Sequence, residues 1–124
     1  MTKPLALIFY EELLPGSQLV NRLQDLGYRV KAITSAPDLL PAAEEQKPMV
    51  ILADLKSDSG DVTLIISQVR NSPKTSHLPI LAFTGKKDRK LQEKATKAGA
   101  NLVAFEDAIL QQLPQLLEQV LQVD

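Results

Sequence analysis

Residues 49–61, MVILADLKSDSGD, decide the fold. Met49–Ala53 is apolar at every position, the pattern of a strand covered on both faces, and the run stops on Asp54. A short polar loop follows. Asp61 then stands as an N-cap ahead of Val62, Ile65, Ile66 and Val69, which share one face of a helix. Strand, loop and helix in that order form the repeating unit of a parallel sheet.

Further apolar runs lie on either side of this unit, at Leu5–Tyr10, Pro79–Phe83 and Leu102–Phe105. Tyr28–Ile33 differs because Arg29 and Lys31 alternate with Tyr28, Val30 and Ile33, which suits a half-exposed edge strand. Helical spacing fills the intervals. Leu19, Val20, Leu23 and Leu26 define a first helix over Ser17–Leu26 that stops at Gly27. Asp38–Gln46 reads as a short second helix with Asp38 as cap and Pro41 in the first turn, and Lys87–Ala98 as a strongly charged fourth. Leu113, Leu116, Leu117, Val120 and Leu121 mark a fifth, with Pro114 near its start. The order βαβαβαβαβα predicts a doubly wound α/β domain with a five-stranded parallel sheet. In such a sheet the functional crevice lies beyond the carboxyl ends of the strands. The residues to examine are therefore Tyr10, Glu11, Glu12, Asp54, Thr84 and Glu106.

Length and composition exclude several classes of function. A chain of 124 residues, 44% hydrophobic and 23% charged, suits one globular domain spanning residues 1–124, and no output domain is expected. A formal charge of -1 leaves no positive excess for general nucleic-acid binding. The absence of cysteine removes disulfides, thiolate metal sites and a thiol nucleophile, and the lone His77 removes most histidine chemistry. His77 itself reads as a solvated loop residue. No apolar run approaches the length of a membrane span, so the expectation is a cytoplasmic protein with neither membrane nor nucleic acid as partner.

Over nearly its whole length the sequence resembles the response-regulator receiver family, the CheY-like phosphoacceptor domain. MVILADLKSDSGD resembles that family's acceptor strand and loop, HLPILAFTG its fourth strand with the hydroxyl residue, and KAGAN the turn before its fifth strand. The resemblance implies a flavodoxin-like (βα)5 sheet of strand order 2-1-3-4-5, and a place in two-component phosphorelay signalling rather than catalysis. It places Asp54 at the phosphoacceptor, Thr84 at the residue contacting the phosphoryl group, and Tyr10 with Glu11 at the acidic pair that holds Mg2+. The position of the family's lysine is occupied by Glu106, and that of its switch aromatic by Val103, with Phe105 close by.

These departures are chemical. Tyr10 is a neutral phenol where the family has an acid. That leaves Glu11, Asp54 and the backbone carbonyl of Lys56 as ligands for a weakly held Mg2+. Glu106 reverses the sign of a group that pairs with the phosphoryl oxygens, an ion pair worth about 4 kcal/mol at 4 Å and an effective dielectric near 20. Lys56 is the available substitute cation. The expectation is a stand-alone receiver-like regulator that works through protein contacts, its phosphoacceptor chemistry impaired or lost. The alternative is a working phosphoacceptor charged on Asp54 by a histidine kinase. A third reading, a small nucleotide- or flavin-binding α/β protein, lacks both G-x-G-x-x-G and G-x-x-x-x-G-K-[ST].

Charge is segregated along the chain. Lys86, Lys87, Arg89, Lys90, Lys94 and Lys97 crowd the fourth helix, whereas no basic residue follows Lys97 and Glu106, Asp107, Glu118 and Asp124 are acidic. Receivers commonly dimerise and meet partners through the face made by helix 4, strand 5 and helix 5. The expectation is that Lys90, Lys94 and Glu118 mark such a face for a homodimer, a histidine kinase or a downstream target.

Overall fold

The structure, a computed structural model, describes residues 3–85 and 88–121. Lys86, Lys87 and Asp124 from the charge pattern above lie outside the described residues. Five parallel strands, β1 (Leu5–Phe9), β2 (Arg29–Ile33), β3 (Val50–Asp54), β4 (Ile80–Thr84) and β5 (Leu102–Phe105), form one sheet in the order β2-β1-β3-β4-β5. The chain reverses its direction of travel across the sheet after β2. That reversal opens a crevice above the central strands.

Alternation along the strands divides the apolar residues between two layers. Leu7, Phe9, Ile51, Ala53, Ile80 and Ala82 face α2 (Leu39–Gln46), α3 (Val62–Asn71) and α4 (Arg89–Ala98). Ala6, Ile8, Val50, Leu52, Leu81 and Phe83 face α1 (Leu13–Asp25), α5 (Glu106–Gln111) and α6 (Leu113–Leu121). β1, β3 and β4 are buried along their whole length, as continuous apolar runs require. β2 is largely exposed, with Arg29, Lys31 and Ala32 turned to solvent, and so is an edge strand.

The helices depart from expectation in three places. α1 starts at Leu13 rather than Ser17, and its first turn is broken at Leu14, whose φ of -115° and ψ of 134° are extended. Leu14 precedes a proline, which disfavours the α conformation in the residue before it. The expected second helix is α2, with Asp38 at its N-cap position, but a single 3-10 turn, Ala36–Asp38, leads into it and the Asp38 side chain makes no capping bond. The expected fifth helix is α6, with Pro114 in its first turn, and a separate short helix, α5, precedes it directly after β5. Elsewhere the expected signals hold. Asp61 Oδ1 accepts from the Thr63 and Leu64 amides at the start of α3, and Gly27 follows α1 with φ 95°.

Candidate functional site

Asp54 is the last residue of β3, and parallel pairing sets it beside Phe83, one residue before Thr84. Both Asp54 and Thr84 are only 5% exposed. They open into a crevice of about 360 Å³ whose other walls are Glu12, Lys56, Gly85, Asp88, Leu91 and Glu106. The fold therefore brings together Asp54, Thr84, Lys56 and Glu106 of the expected residues. Glu12, one of the strand-end residues singled out in the sequence, lines it too, and Gly85, Asp88 and Leu91 join them without having been assigned to the site.

Glu106 points into this crevice. Thr84 pairs with Phe105 across β4 and β5, so the first residue of α5 emerges level with the end of β4. The Glu106 carboxylate then lies so close to Gly85 that a Cβ there would fall 2.6 Å from its Oε2. Burial raises the Asp54 pKa from 3.8 to about 6; the Glu106 and Glu12 charges add to the rise, and the hydrogen bond from the Lys56 amide (2.9 Å) opposes it. Lys56 Nζ pairs with Glu12 Oε1 at 2.7 Å. The one described ammonium lining the crevice thus already has a partner.

The acidic-pair positions do not behave as the resemblance implied. Glu11 turns away from Asp54 into the loop between β3 and α3, where it accepts from the Asp58 amide at 2.6 Å, the Ser57 hydroxyl at 2.8 Å and the Ser59 amide and hydroxyl. These donors, the Ser59 hydroxyl first, hold the carboxyl at about 2, below its usual 4.5. Ser59 Oγ also accepts from the Ala36 amide at 2.8 Å, so Glu11 ties together the loops after β1, β2 and β3. Tyr10 leaves the crevice altogether and packs its ring against Gly16 of α1 in the second layer. It is a core-edge aromatic. The acid at the crevice is Glu12, whose signal in the sequence is its place just after the first apolar run.

The family that the sequence resembles holds Mg2+ at its acidic phosphorylation site. The residues present here do not fit that ligand set: Tyr10 has no carboxylate, both Glu11 oxygens are engaged by loop donors, and Glu12 is paired with Lys56. Among the described residues no group of three or more His, Cys, Asp or Glu is arranged to hold a metal ion.

The expected partner residues are divided. Lys94 Nζ lies 3.7 Å from Asp61 Oδ2, so its side chain is directed at the start of α3 rather than the β5 edge. Lys90 and Glu118 are exposed, on α4 and α6, which cover opposite layers of the sheet.

A doubly wound parallel sheet of order 2-1-3-4-5, with a buried aspartate ending the central strand of an acidic crevice, defines the receiver class of α/β domains. The model of the response regulator receiver domain matches residues 12–118, and the chain belongs to that family. Its fold is similar to that of a putative response regulator from Chloroflexus aurantiacus J-10-fl, at TM-score 0.90 and 24% identity, covering 97% of this chain and 98% of that one. The chemotaxis response regulator CheY4 of Vibrio cholerae is similar at TM-score 0.85 and 20% identity over 96% and 99% of the two chains. FixJ-N is similar at TM-score 0.84 and 21% identity over 100% and 99%. No curated protein matches the sequence. No described helix is long and apolar enough to cross a membrane.

Proposed function

We propose that this receiver acts in two-component signalling through contacts with other proteins, and that phosphoryl acceptance on Asp54 is impaired. Receiver domains are signalling modules that meet histidine kinases and downstream effectors. To be charged, Asp54 would attack the phosphorus of a phosphohistidine, forming an O–P bond as the N–P bond breaks, and the phosphoryl oxygens would then need positive charge around them. The observation that carries the reading is the Glu106 carboxylate facing the same crevice as Asp54. A carboxylate there repels an incoming phosphoryl group and the acyl phosphate alike. Among the described residues Lys56 is the one ammonium lining the crevice, and its pairing with Glu12 reduces what it can offer. With Tyr10 in the core and Glu11 bound to the loop, any Mg2+ at Asp54 is weakly held.

The test is intact-mass measurement after incubation with Mg2+ and a small phosphodonor, and the same experiment with beryllofluoride. The wild-type chain should acquire little adduct, Glu106→Lys should acquire more, and Asp54→Ala in the Glu106→Lys background should abolish the gain. A long-lived wild-type adduct that vanishes in Asp54→Ala would overturn the proposal and establish a working phosphoacceptor.

A further inference from the structure

The amino-terminal ends of β3 and β4, opposite the Asp54 crevice, border a second concavity of about 370 Å³ lined by Glu44, Lys47, Pro48, Lys74, His77 and Leu78. We propose that it binds a small organic oxyanion, a phosphate- or carboxylate-bearing molecule, with the anion between Lys47, Lys74 and His77 and an apolar body against Pro48 and Leu78. The site is independent of the chemistry proposed at Asp54.

Backbone geometry favours an anion here. Lys47 ends α2 in the left-handed conformation, with φ 49° and ψ 61°. Glycine is the favoured residue at such a helix stop, and the other described residues with positive φ, Gly27 and Gly99, are glycines. A lysine placed there accepts an unfavourable backbone to put an ammonium at this rim.

Charge points the same way. No carboxylate pairs with Lys47 or Lys74 among the described residues, whereas Lys56 and Lys94 have such partners. The acid in the pocket wall, Glu44, is tied down by the Ser72 hydroxyl, which donates to its Oε2 at 2.7 Å. Two ammonium groups against one engaged carboxylate leave positive potential in a concave site, with the His77 imidazole able to donate a further hydrogen bond.

One wall of the concavity is rigid. The loop carrying Lys74 and His77 is held by the Thr75 hydroxyl donating to the Val69 carbonyl at 2.6 Å and by the Leu78 amide donating to the Thr75 carbonyl at 3.0 Å. Arg70 Nη1 donates to the Ser76 and Leu78 carbonyls at 2.8 and 2.7 Å, and Leu78 is buried. The backbone of this wall is therefore held in place before a ligand arrives, and binding has only the exposed Lys47, Lys74 and His77 side chains to order.

The experiment is an NMR amide titration of the full chain with AMP, with citrate and with uncharged adenosine. AMP or citrate should shift amides of residues 44–48 and 74–78, and adenosine should not. A response to AMP alone assigns a phosphoryl ligand, and a response to citrate alone a carboxylate. Lys47→Gly and Lys74→Gln should each weaken binding about tenfold. Lys47→Gly also relaxes the backbone, so an unchanged or higher melting temperature excludes unfolding as the cause. The inference is overturned if neither anion shifts these amides, if adenosine binds equally well, or if the Lys47→Gly, Lys74→Gln double variant binds undiminished. Asp54→Asn should bind like wild type, which separates this site from the crevice.

Discussion

Asp54 and Glu11 show how two carboxylates near one loop are driven in opposite directions. Asp54 is buried beside Glu106 and Glu12 and its pKa is raised to about 6, so the folded state holds its proton more tightly than the unfolded chain does. The sign follows from linkage. This favourable contribution is complete below the ordinary value of 3.8 and is lost as pH rises through about 6, leaving a destabilising charge at neutral pH. Asp54→Asn keeps an acceptor for the Lys56 amide and removes the charge. It should raise stability at pH 7 by about 1.5 kcal/mol, a figure reduced from the full shift because the carboxylate faces an open crevice. Urea unfolding of wild type and variant should give curves that diverge between pH 4 and 6; parallel curves would show that Asp54 is solvated like a surface acid. Glu11 has the opposite sign, being stabilising above 4.5 and losing that contribution as pH falls towards about 2. Neither shift was legible in the sequence. The resemblance puts both Tyr10 and Glu11 at the crevice, and only the loop donors at Ser57, Asp58 and Ser59, which draw Glu11 away, leave Glu12 as the acid of the YEE run that lines it.

Elements were legible where a local signal and tertiary burial agreed. In α3, Asp61 caps the helix and Val62, Ile65, Ile66 and Val69 are all buried, so one reading satisfied both demands. Asp61→Ala should cost about 1 kcal/mol by losing the bonds to the Thr63 and Leu64 amides. The Lys94 pair adds little because both partners are exposed. Thermal unfolding of Asp61→Ala and Asp61→Ser distinguishes the cap from the charge, since serine retains capping without the carboxylate. α5 was illegible for the converse reason: at six residues it is less than two turns, with Ile109 its buried residue, and it depends on β5 to hold its start. A second illegible feature is Arg70, whose guanidinium reaches from α3 to the carbonyls of Ser76, Leu78 and Gly99 and to the Asn101 side chain. Asn101 Oδ1 also accepts from the Ile80 amide at 2.8 Å, so one cation fastens α3, the entry to β4 and the entry to β5. Arg70→Ala leaves several carbonyls without their donor and should destabilise by about 2–3 kcal/mol. Gly99→Ala should also destabilise, because its φ of 126° is unfavourable for an L side chain and a Cβ would meet the Arg70 stem. Denaturant midpoints that move by less than those of surface controls would remove Arg70 from this role.

Across the whole molecule, α4 with its basic row and α6 with Glu118 cover opposite layers of a sheet whose edge beyond β4 is β5. Any surface using both charges must therefore span that edge, and Lys94, turned to Asp61, is the weaker contributor. Lys90 is exposed one helical turn before Lys94 and is free of that pairing. If two copies meet across β5, Lys90 of one faces the acidic carboxyl-terminal helices of the other, and the attraction is long-range and screened. Lys90→Glu should then weaken self-association several-fold at low ionic strength, Glu118→Lys should do the same, and combining them should recover part of the loss because each new charge finds its opposite. Lys94→Glu should have the smallest effect of the set. Raising salt to 1 M contracts the Debye length to about 3 Å and should bring all variants towards wild type. Sedimentation velocity at both ionic strengths measures this directly. Recovery in the double reversal ties association to these two charges, whereas additive loss or no change places the contact on another surface of the domain.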